Sequence, residues 1–371
     1  MSAETATRGD TSFGSGRPFS LGVEEELFLV DPVTGAQVNT SQAVLENASD
    51  NVGTLKQELH ACQVELITEV CTSTAEAIAA LADMRRAARA TGAGLLGAGT
   101  HPGALEGSAE ITDQARYEQI RHLLGDAAVT PVAGLHVHIG MPAAETAIRT
   151  FNGLREQLPL LTALAANSPF RHGRDTGLAS AREVTLRSWP RSGVPRALGD
   201  FAEFEELSEL LCQAAGVEDY TWFWWKLRPH PQLGTVEVRA LDAQTTLEDT
   251  AALVALTHCL ARHAAESESG PASPPELLEE GLFRAARFGT AAQLPDAGGR
   301  LRGVDELLDD ALTRAGRYAG ELQCEAELAT LPELLARGGG AGRQRRFYEI
   351  AGLDALLREL SAVTGGPSPD R

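Results

Sequence analysis

The chain of 371 residues is long enough to bury a substantial core, in one large domain or two ordinary ones. Acidic residues outnumber basic ones by 51 to 32, giving a formal net charge of −19, and no basic block or cationic amphipathic helix offsets it. This charge repels nucleic acid and anionic membranes, so we expect neither as a partner. Residues 1–17 lack a signal-peptide segment, and no apolar run reaches the roughly 18 residues that span a bilayer. These absences predict a cytoplasmic protein.

The cysteines and lysines indicate the redox state of the thiols and restrict how a nucleotide could be bound. The five cysteines are scattered and form no C-x-x-C pair, which predicts reduced thiols that fill the core. Lys56 and Lys226 are the only lysines, and neither follows a glycine, so the sequence contains no P-loop. If the protein uses a nucleotide, metal ions and arginines must hold its phosphates.

The order of elements predicts an α+β domain. Residues 1–17 and 364–371 are predicted to be disordered tails, which leaves residues 18–363 as a single catalytic domain. Strands and helices mix in its first half, and the pattern from about Thr246 onward is almost wholly helical. Capping boxes and apolar periodicity predict helices over 73–92, 143–158, 159–166, 200–215, 245–267, 273–289, 305–316, 331–337, 343–350 and 353–363.

The most informative stretch is an apolar strand that contains three consecutive acids. Leu21–Val30 is rich in β-forming residues and closes in a Pro-Gly turn. Side chains alternate on a strand, so Glu24 and Glu26 point to one face, about 6 to 7 Å apart, and Glu25 points to the other. Two carboxylates at this spacing can hold hard cations, and acids on both faces of an apolar strand need compensating charge. An edge strand with solvated acids is the alternative.

Two further predicted strands carry polar side chains on one face. The strand at 61–71 presents Glu65, and the strand at 132–141 presents His136 and His138 together. Two imidazoles on one strand face suit a metal or a phosphate, and a structural role fits them equally well.

Two later strands are predicted on either side of a Pro-His-Pro turn, the first beginning with the aromatic run 222–225. Each carries two charged residues on one face: Lys226 with Arg228, and Glu237 with Arg239. A carboxylate and a guanidinium two residues apart can also simply pair with each other.

Together these strands repeat one theme, in which acids and histidines gather on strand faces. Such groups are the ligand set for two or three Mg²⁺ or Mn²⁺ ions, and nearby arginines would hold phosphoryl oxygens. Without a P-loop, the site implies metal-bound ATP held against a sheet. The expected chemistry is phosphoryl transfer to an acceptor that needs no general base, because a carboxylate is already anionic.

The order of the motifs resembles the bacterial glutamate-cysteine ligase type 2 family of ATP-dependent carboxylate-amine ligases. The resemblance extends from about Phe19 to Leu360 and is carried by nine ordered motifs, which together are far more specific than any one of them. These are Gly-Val-Glu-Glu-Glu, Gln-Val-Glu-Leu, Gly-Thr-His-Pro, His-Val-His-Ile-Gly, Ala-Asn-Ser-Pro-Phe, Thr-Gly-Leu-Ala-Ser-Ala-Arg, Leu-Arg-Pro-His-Pro, Gly-Thr-Val-Glu-Val-Arg and Asp-Ala-Gln-Thr.

The resemblance implies a glutamine-synthetase-like fold, in which a curved antiparallel sheet is flanked by helices. It also implies ATP with Mg²⁺ or Mn²⁺, an amino-acid carboxylate and an amine acceptor, nominally glutamate and cysteine, joined through an acyl phosphate. By position, the implied metal ligands are Glu24, Glu26, Glu65, His138 and Glu237, with His136 beside them as a nucleotide contact and Arg239 as a catalytic contact to substrate or phosphate. Arg182 and Arg228 are further candidates for catalytic contacts to the substrate carboxylate and phosphate, and Arg228 also for a nucleotide contact. Arg171 departs from the family, which often has an aromatic residue there, so the acceptor pocket is expected to differ.

Two other functions remain open from the sequence. The same acids and histidines can serve a metal-dependent amide hydrolase that uses a metal-bound water and no ATP. A catalytically silent relative that acts as a binding protein is the third reading, although no expected ligand position is missing. The apolar helical C-terminal third can supply a homodimer surface.

Overall fold

The computed structural model describes residues 11–49, 53–267, 270 and 272–366. Its strands are β1 (Leu21–Val30), β2 (Thr54–Gln57), β3 (Gln63–Ile67), β4 (Gly94–Leu96), β5 (Gly134–Gly140), β6 (Phe170–Arg171), β7 (Arg174–Asp175), β8 (Leu227–His230), β9 (Thr235–Asp242), β10 (Gln293–Pro295) and β11 (Leu301–Gly303).

The helices of the described residues are α1 (Ser41–Asn47), α2 (Thr74–Ala90), α3 (Ala115–Leu124), α4 (Ala144–Arg155), α5 (Leu158–Ala165), α6 (Ala181–Leu186), α7 (Phe201–Ala215), α8 (Leu247–Glu266), α9 (Pro275–Phe288), α10 (Val304–Ala315), α11 (Ala319–Leu322), α12 (Glu325–Leu328), α13 (Leu331–Ala336) and α14 (Gly339–Thr364). Short 3₁₀ helices span Gly125–Ala128, Tyr220–Trp222 and Gly289–Ala291. No helix in this part of the chain is both long and apolar enough to cross a membrane.

One antiparallel sheet organises the fold and confirms the predicted α+β class. Its strands lie in the order β2-β3-β1-β5-β9-β8, and β4 pairs with the end of β1. The first strand therefore lies in the interior of the sheet, so the alternative of an edge strand with solvated acids is wrong. The pairs β6-β7 and β10-β11 form separate two-stranded sheets.

The rear face of the sheet is covered by helices. On β1 this face presents Leu21, Val23 and Leu27, which are fully buried in one cluster with residues of α2, α4, α5 and α8. The helix α2 begins as its capping box predicts, because the Ser73 side chain accepts a hydrogen bond from the amide of Glu76. Alternation along β1 therefore places its apolar side chains against the apolar faces of these helices.

The front face of the sheet, which carries Glu24 and Glu26, is closed at one end by a smaller apolar cluster. Phe28 and Val30, further along β1, pack there with Leu356 and Leu360 of α14. This helix follows the two predicted segments 343–350 and 353–363, because Gly352 interrupts it with a φ of 76°. The apolar cluster leaves only the part of the front face around the acids open.

Glu25 points to the rear face, where an arginine compensates its negative charge. This confirms that the acid on the buried face needs a cationic partner. Its carboxylate accepts hydrogen bonds from Arg85 Nε at 2.8 Å and Arg85 Nη2 at 2.6 Å, and both side chains are almost completely buried. Arg85 also donates to the carbonyl oxygens of Gln244, Thr245 and Thr364, so its remaining N–H groups are satisfied. The ion pair ties α2 and the end of α14 to the middle of the sheet.

The segment preceding β1 also contacts the domain. The amide of Ser12 donates to the carbonyl of Pro231 at 2.8 Å, and that of Gly14 donates to the carbonyl of Met141 at 2.9 Å. This part of the predicted tail therefore packs against the ends of β5 and β8. The remainder of the predicted N-terminal tail, residues 1–10, and residues 367–371 of the predicted C-terminal tail lie outside the described residues.

Two local predictions are wrong. The aromatic run 222–225 does not form a strand, because the side chain of Asp219 accepts a hydrogen bond from the amide of Thr221 and caps a 3₁₀ turn; β8 begins only at Leu227. The helix predicted from residue 245 begins at Leu247 instead, with Thr246 as its cap.

We expect Arg85→Met to lower the free energy of unfolding by about 3–5 kcal/mol, because it leaves the Glu25 carboxylate buried without a partner. Arg86→Met is the matched control: Arg86 is 67% exposed, and its ion pair contributes about 1 kcal/mol or less. Urea denaturation measures both values. Equal stability of the two variants would contradict the role assigned to the ion pair.

Candidate functional site

Strand register brings the predicted acids and histidines onto one line across the front face. Glu26 lies opposite Glu65 on β3, and Glu24 lies opposite His136 on β5. Further along β5, His138 lies opposite Glu237 on β9. We call this set the acid-histidine row: Glu65, Glu26, Glu24, His136, His138 and Glu237.

A bulge lies beside the centre of the row. Leu135 pairs with Leu241 whereas Val137 pairs with Val238, so two residues of β9, Arg239 and Ala240, stand opposite the single residue His136. Bulges twist a strand locally and re-aim its side chains, which accounts for Arg239 and Glu237 meeting in an ion pair. The predicted simple pairing of these two residues is thus present within the row.

Each histidine of the row contacts two of its carboxylates. His136 Nδ1 lies 3.2 Å from Glu24 Oε2, and its Nε2 lies 3.6 Å from Glu26 Oε1. His138 Nε2 lies 3.3 Å from Glu24 Oε1 and 3.6 Å from Glu237 Oε1. Glu24 thus bridges the two histidines, and His136 lies between Glu24 and Glu26.

At one end of the row, Glu237 is held as a carboxylate by two guanidiniums. Arg228 Nε donates to Glu237 Oε2 at 2.9 Å, and Arg239 Nη1 pairs with the other oxygen. Burial alone would raise the pKa of Glu237, but Arg228 and Arg239 outweigh it and the pKa lies far below its usual range. Arg228 also donates to the carbonyl oxygens of Tyr220 and Phe223, so its contacts position Glu237.

At the other end of the row, carboxylates crowd together without such partners. Burial, followed by the charges of Glu58 and Glu24, raises the pKa of Glu65 well above its usual value. Burial and the charge of Glu26 likewise raise the pKa of Glu58 to about 8. The sequence analysis missed Glu58, which follows β2 and is seven positions before Glu65; no periodicity marks a residue outside a strand.

The row has the composition of a hard-cation site. Two triads each bring three ligand atoms within 4.8 Å of one another, Glu24 with His136 and Glu237, and Glu26 with Glu65 and His136. The crowded acids of the second triad fit a divalent cation, because positive charge would relieve the repulsion that Glu65 experiences from Glu24, Glu26 and Glu58. His138 Nδ1 lies 3.0 Å from the Thr235 hydroxyl, which orients Nε2 toward the carboxylates.

Two cavities meet at the row. The first, here the apolar cavity, has a volume of about 340 Å³ and includes Glu24, His138 and Arg17 in its wall. Apolar residues and glycines make up most of the remaining lining, together with serines and threonines. The second, here the cationic cavity, has a volume of about 110 Å³ and includes Glu26 and His136. Its other charged side chains are Glu58, Arg182, Lys226 and Arg239.

Arg182 contributes unused hydrogen-bond donors to the cationic cavity. Its side chain is buried, Nη2 donates to the carbonyl of Arg239 at 3.1 Å, and Nη1 lies 4.0 Å from Asp242 Oδ1. Nε and Nη1 have no hydrogen-bond partner within the described residues. Buried guanidinium N–H groups are costly when unpaired, so an anionic ligand is expected to supply their acceptors.

The sequence analysis also missed a buried ion-pair network beside this cavity. Lys226 Nζ lies 2.6 Å from Glu183 Oε2, and both side chains are almost completely buried. Glu183 also faces Arg187, which in turn pairs with Glu279 of α9 at 3.1 Å. Alternation along the strand, which placed Lys226 and Arg228 on one face, could not predict this network. The other members of the network lie in or directly after α6 and in α9.

The polar loop at 171–177 does not reach the row. Its residues pair as β6 and β7, Arg171 Nη1 donates to the Thr185 hydroxyl at 2.9 Å, and Asp175 pairs with Arg345. None of these residues lines the apolar or the cationic cavity within the described part of the chain. The structure therefore gives no support to the expectation that Arg171 alters an acceptor pocket.

A family model described as glutamate-cysteine ligase family 2 (GCS2) matches residues 20–360. The chain belongs to this family. A protein of Rubrobacter xylanophilus named “Putative glutamate--cysteine ligase 2-3” is 42% identical over 364 residues, covering 96% of this chain and 99% of that protein. A similarly named protein of Mycolicibacterium smegmatis is 37% identical over 363 residues, covering 94% of this chain and 96% of that one.

Solved structures with this fold include a glutamate-cysteine ligase from Francisella tularensis in complex with AMP, with a TM-score of 0.66 and 12% identity, covering 94% of this chain and 89% of that one. A bifunctional glutathione synthetase from Pasteurella multocida gives a TM-score of 0.67 at 15% identity, covering 94% of this chain and 52% of that one. The predicted ligase fold is confirmed.

We expect Glu65→Gln to stabilise the metal-free protein by about 1 kcal/mol, because it removes a buried, mutually repelled carboxylate, and to abolish most of the stability gained from Mn²⁺. At 100 times its dissociation constant, Mn²⁺ should stabilise the wild type by about 2.7 kcal/mol. Thermal unfolding with and without Mn²⁺ gives both quantities. Glu106→Gln, at an exposed loop position, is the control and should behave as wild type; an equal Mn²⁺ gain in Glu65→Gln would exclude Glu65 as a ligand.

Proposed function

We propose that this protein is an ATP-dependent ligase that joins an amino-acid carboxylate to an amine through an acyl phosphate, with L-glutamate and L-cysteine as the first pair to test. The single observation that carries the proposal is the position of the acid-histidine row between two cavities of opposite character. One cavity suits a nucleoside and the other suits an anion, so the row lies where the two substrates would exchange a phosphoryl group. Membership of the ligase family and the AMP-bound neighbour support the same reaction.

The apolar cavity is the proposed site of the nucleoside. Val70 and Leu233 belong to its wall and are 73% and 57% exposed, so both present apolar surface to a ligand. They follow β3 and precede β9, so in the strand order they stand on either side of β1 and β5. A flat base placed between them would bury apolar surface that the protein alone leaves in water.

The cationic cavity is the proposed site of the carboxylate. Arg182 offers Nε and Nη1, and Arg239 lines the same cavity beside Glu237. Guanidiniums hold carboxylate and phosphoryl oxygens bidentately, so these two side chains would orient the acid and neutralise charge as the phosphoryl group moves. The proposed catalytic contacts are thus Arg182 and Arg239, whereas Arg228 would act by holding Glu237 in place.

Divalent cations complete the proposed site. Glu24, Glu26, Glu65, His138 and Glu237 would hold them. His136 belongs to both triads and Glu58 lines the cationic cavity with Glu26, so these two residues are added as candidates. When bound, Mg²⁺ or Mn²⁺ would neutralise the terminal phosphates and orient them toward the acid. The chain itself keeps the carboxylates ionised and aligned, through His136 and His138 at Glu24 and through Arg228 at Glu237.

Turnover should require Mg²⁺, ATP, a carboxylate and an amine together, and Glu24→Gln should lower it by at least about 100-fold, since Glu24 contacts both histidines of the row. Phosphate release across a panel of amino-acid pairs, with L-glutamate and L-cysteine first, measures this. Glu106→Gln should retain wild-type turnover. Amide hydrolysis without ATP would favour a metal-dependent hydrolase, and wild-type turnover by Glu24→Gln would remove the row from the reaction.

Val70→Ser and Leu233→Ser should each raise the KM for ATP by about fivefold and leave kcat nearly unchanged, because each removes about 1 kcal/mol of apolar contact with the base. Leu105→Ser, at a side chain that is 75% exposed and outside the cavity, should leave both constants unchanged. Steady-state kinetics at varied ATP concentration measure both constants. If neither cavity variant changes the KM, the nucleoside binds elsewhere.

A further inference from the structure

The wall of the cationic cavity has two chemically different parts. The charged part, which includes Arg182 and Arg239, is the one that the proposed function uses to hold a carboxylate. The other part is apolar and aromatic, and its members are Leu59, Tyr117, Ile120, Trp189 and Trp224. This second part indicates what kind of group is attached to the carboxylate.

The aromatic part of the wall is one side of a hydrophobic cluster. Leu59 and Ile120 are buried in this cluster, and the rings of Tyr117, Trp189 and Trp224 are partly buried against it. The chain has only four tryptophans and four tyrosines, so three such rings beside one small cavity are a local concentration. Aromatic side chains in a cavity wall bury the apolar body of a ligand, while a few polar groups fix its orientation.

The rings are held in place, and two of them have no polar atom to spare. The Tyr117 hydroxyl donates to the carbonyl of Gln57 at 2.7 Å, and Trp189 Nε1 donates to the carbonyl of Ala127 at 3.0 Å. Trp189 and Trp224 pack edge to face, with ring centroids 5.2 Å apart. What Tyr117 and Trp189 offer a ligand is therefore ring surface.

The volume of the cavity limits the group that can pack there. It is about 110 Å³, which is comparable with the roughly 150 Å³ of an engineered apolar cavity that takes up benzene. The space suits a single ring. L-glutamate would instead bring a second carboxylate and an ammonium group toward this apolar surface, where charged groups lose hydration.

We propose that the acid substrate of this site is a monocarboxylate that carries one aromatic ring, such as phenylacetate. The proposal rests on the proposed function for the position of the carboxylate, beside Arg182 and Arg239, and it adds the class of the attached group. The ring packs on Tyr117 and Trp224.

The reaction of such an acid keeps the chemistry of the proposed ligase. A carboxylate oxygen attacks the γ-phosphorus of ATP, the bond to the β-phosphate oxygen breaks, and ADP leaves. The amine nitrogen then attacks the acyl carbon, phosphate leaves, and the nitrogen loses a proton to solvent as the amide forms.

Isothermal titration of the full-length protein with phenylacetate, in buffer containing Mg²⁺ and no nucleotide, tests the binding site. We expect saturable binding, and at least about tenfold weaker binding of acetate, which lacks the ring, and of 2-phenylethanol, which lacks the charge. No saturable binding of phenylacetate, or equal binding of either analogue, would overturn the proposal. Tighter binding of 2-phenylethylamine would assign the aromatic wall to the amine and would overturn it too.

Tyr117→Leu and Trp224→Leu should each weaken phenylacetate binding by about fivefold or more, because each removes a ring from the wall. Tyr117→Phe is the matched control: it loses the same hydrogen bond to Gln57 as Tyr117→Leu but keeps the ring, so it should bind within about twofold of wild type. Thermal unfolding shows whether each variant is folded. Wild-type affinity in both folded leucine variants would contradict the assignment.

Trapping of the acyl phosphate with hydroxylamine, in the presence of Mg²⁺ and ATP, separates this proposal from the proposed function. We expect a hydroxamate from phenylacetate, with a kcat/KM at least about tenfold that of L-glutamate. A hydroxamate from L-glutamate but not from phenylacetate would overturn the class of acid and leave the ligase reaction intact. Specific binding of phenylacetate with no hydroxamate from any acid would overturn the ligase reaction and retain the site for an aromatic acid.

Discussion

The structure depends on how a single interior strand carries negative charge on both of its faces. β1 presents Glu25 to the rear and Glu24 and Glu26 to the front. The negative charge is compensated differently on the two faces. Behind the sheet, Arg85 pairs with Glu25 and no donor or acceptor of the pair is left over. In front, the acids are shared among histidines and other acids, and compensation is incomplete. A fully compensated pair stabilises the fold, whereas an incompletely compensated row favours a cation.

The two ends of the row differ in the same way. Glu237 is saturated by Arg228 and Arg239, and its pKa lies far below the usual range because these guanidiniums outweigh burial. Glu65 and Glu58 form no ion pair within the described part of the chain, and burial and neighbouring acids raise their pKa values despite the charges of Lys56 and Arg239. The protein thus supplies positive charge to the Glu237 end of the row and much less to the Glu65 end.

Cavity walls in this protein are formed by elements far apart in the chain. Arg182 comes from α6 and Arg239 from β9, and the network of Lys226 and Glu183 continues to Glu279 on α9. Helix α9 therefore contributes to the network beside the proposed active site through Glu279, although it lies far from that site in the sequence.

The sequence by itself determined the residues that share a strand face, because alternation along a strand is a local property. It therefore predicted Glu24 with Glu26, His136 with His138, and Glu237 with Arg239. The order of strands and helices predicted the α+β class, and the ordered motifs indicated the family. Only the tertiary structure decided which strands are neighbours, where the β9 bulge falls, and that Arg228 is committed to Glu237. It also revealed Glu58 and the pair of Lys226 with Glu183, and it showed that Arg171 lies outside the site. These facts depend on register and on loops, in which residues distant in sequence meet, and no periodicity records such contacts.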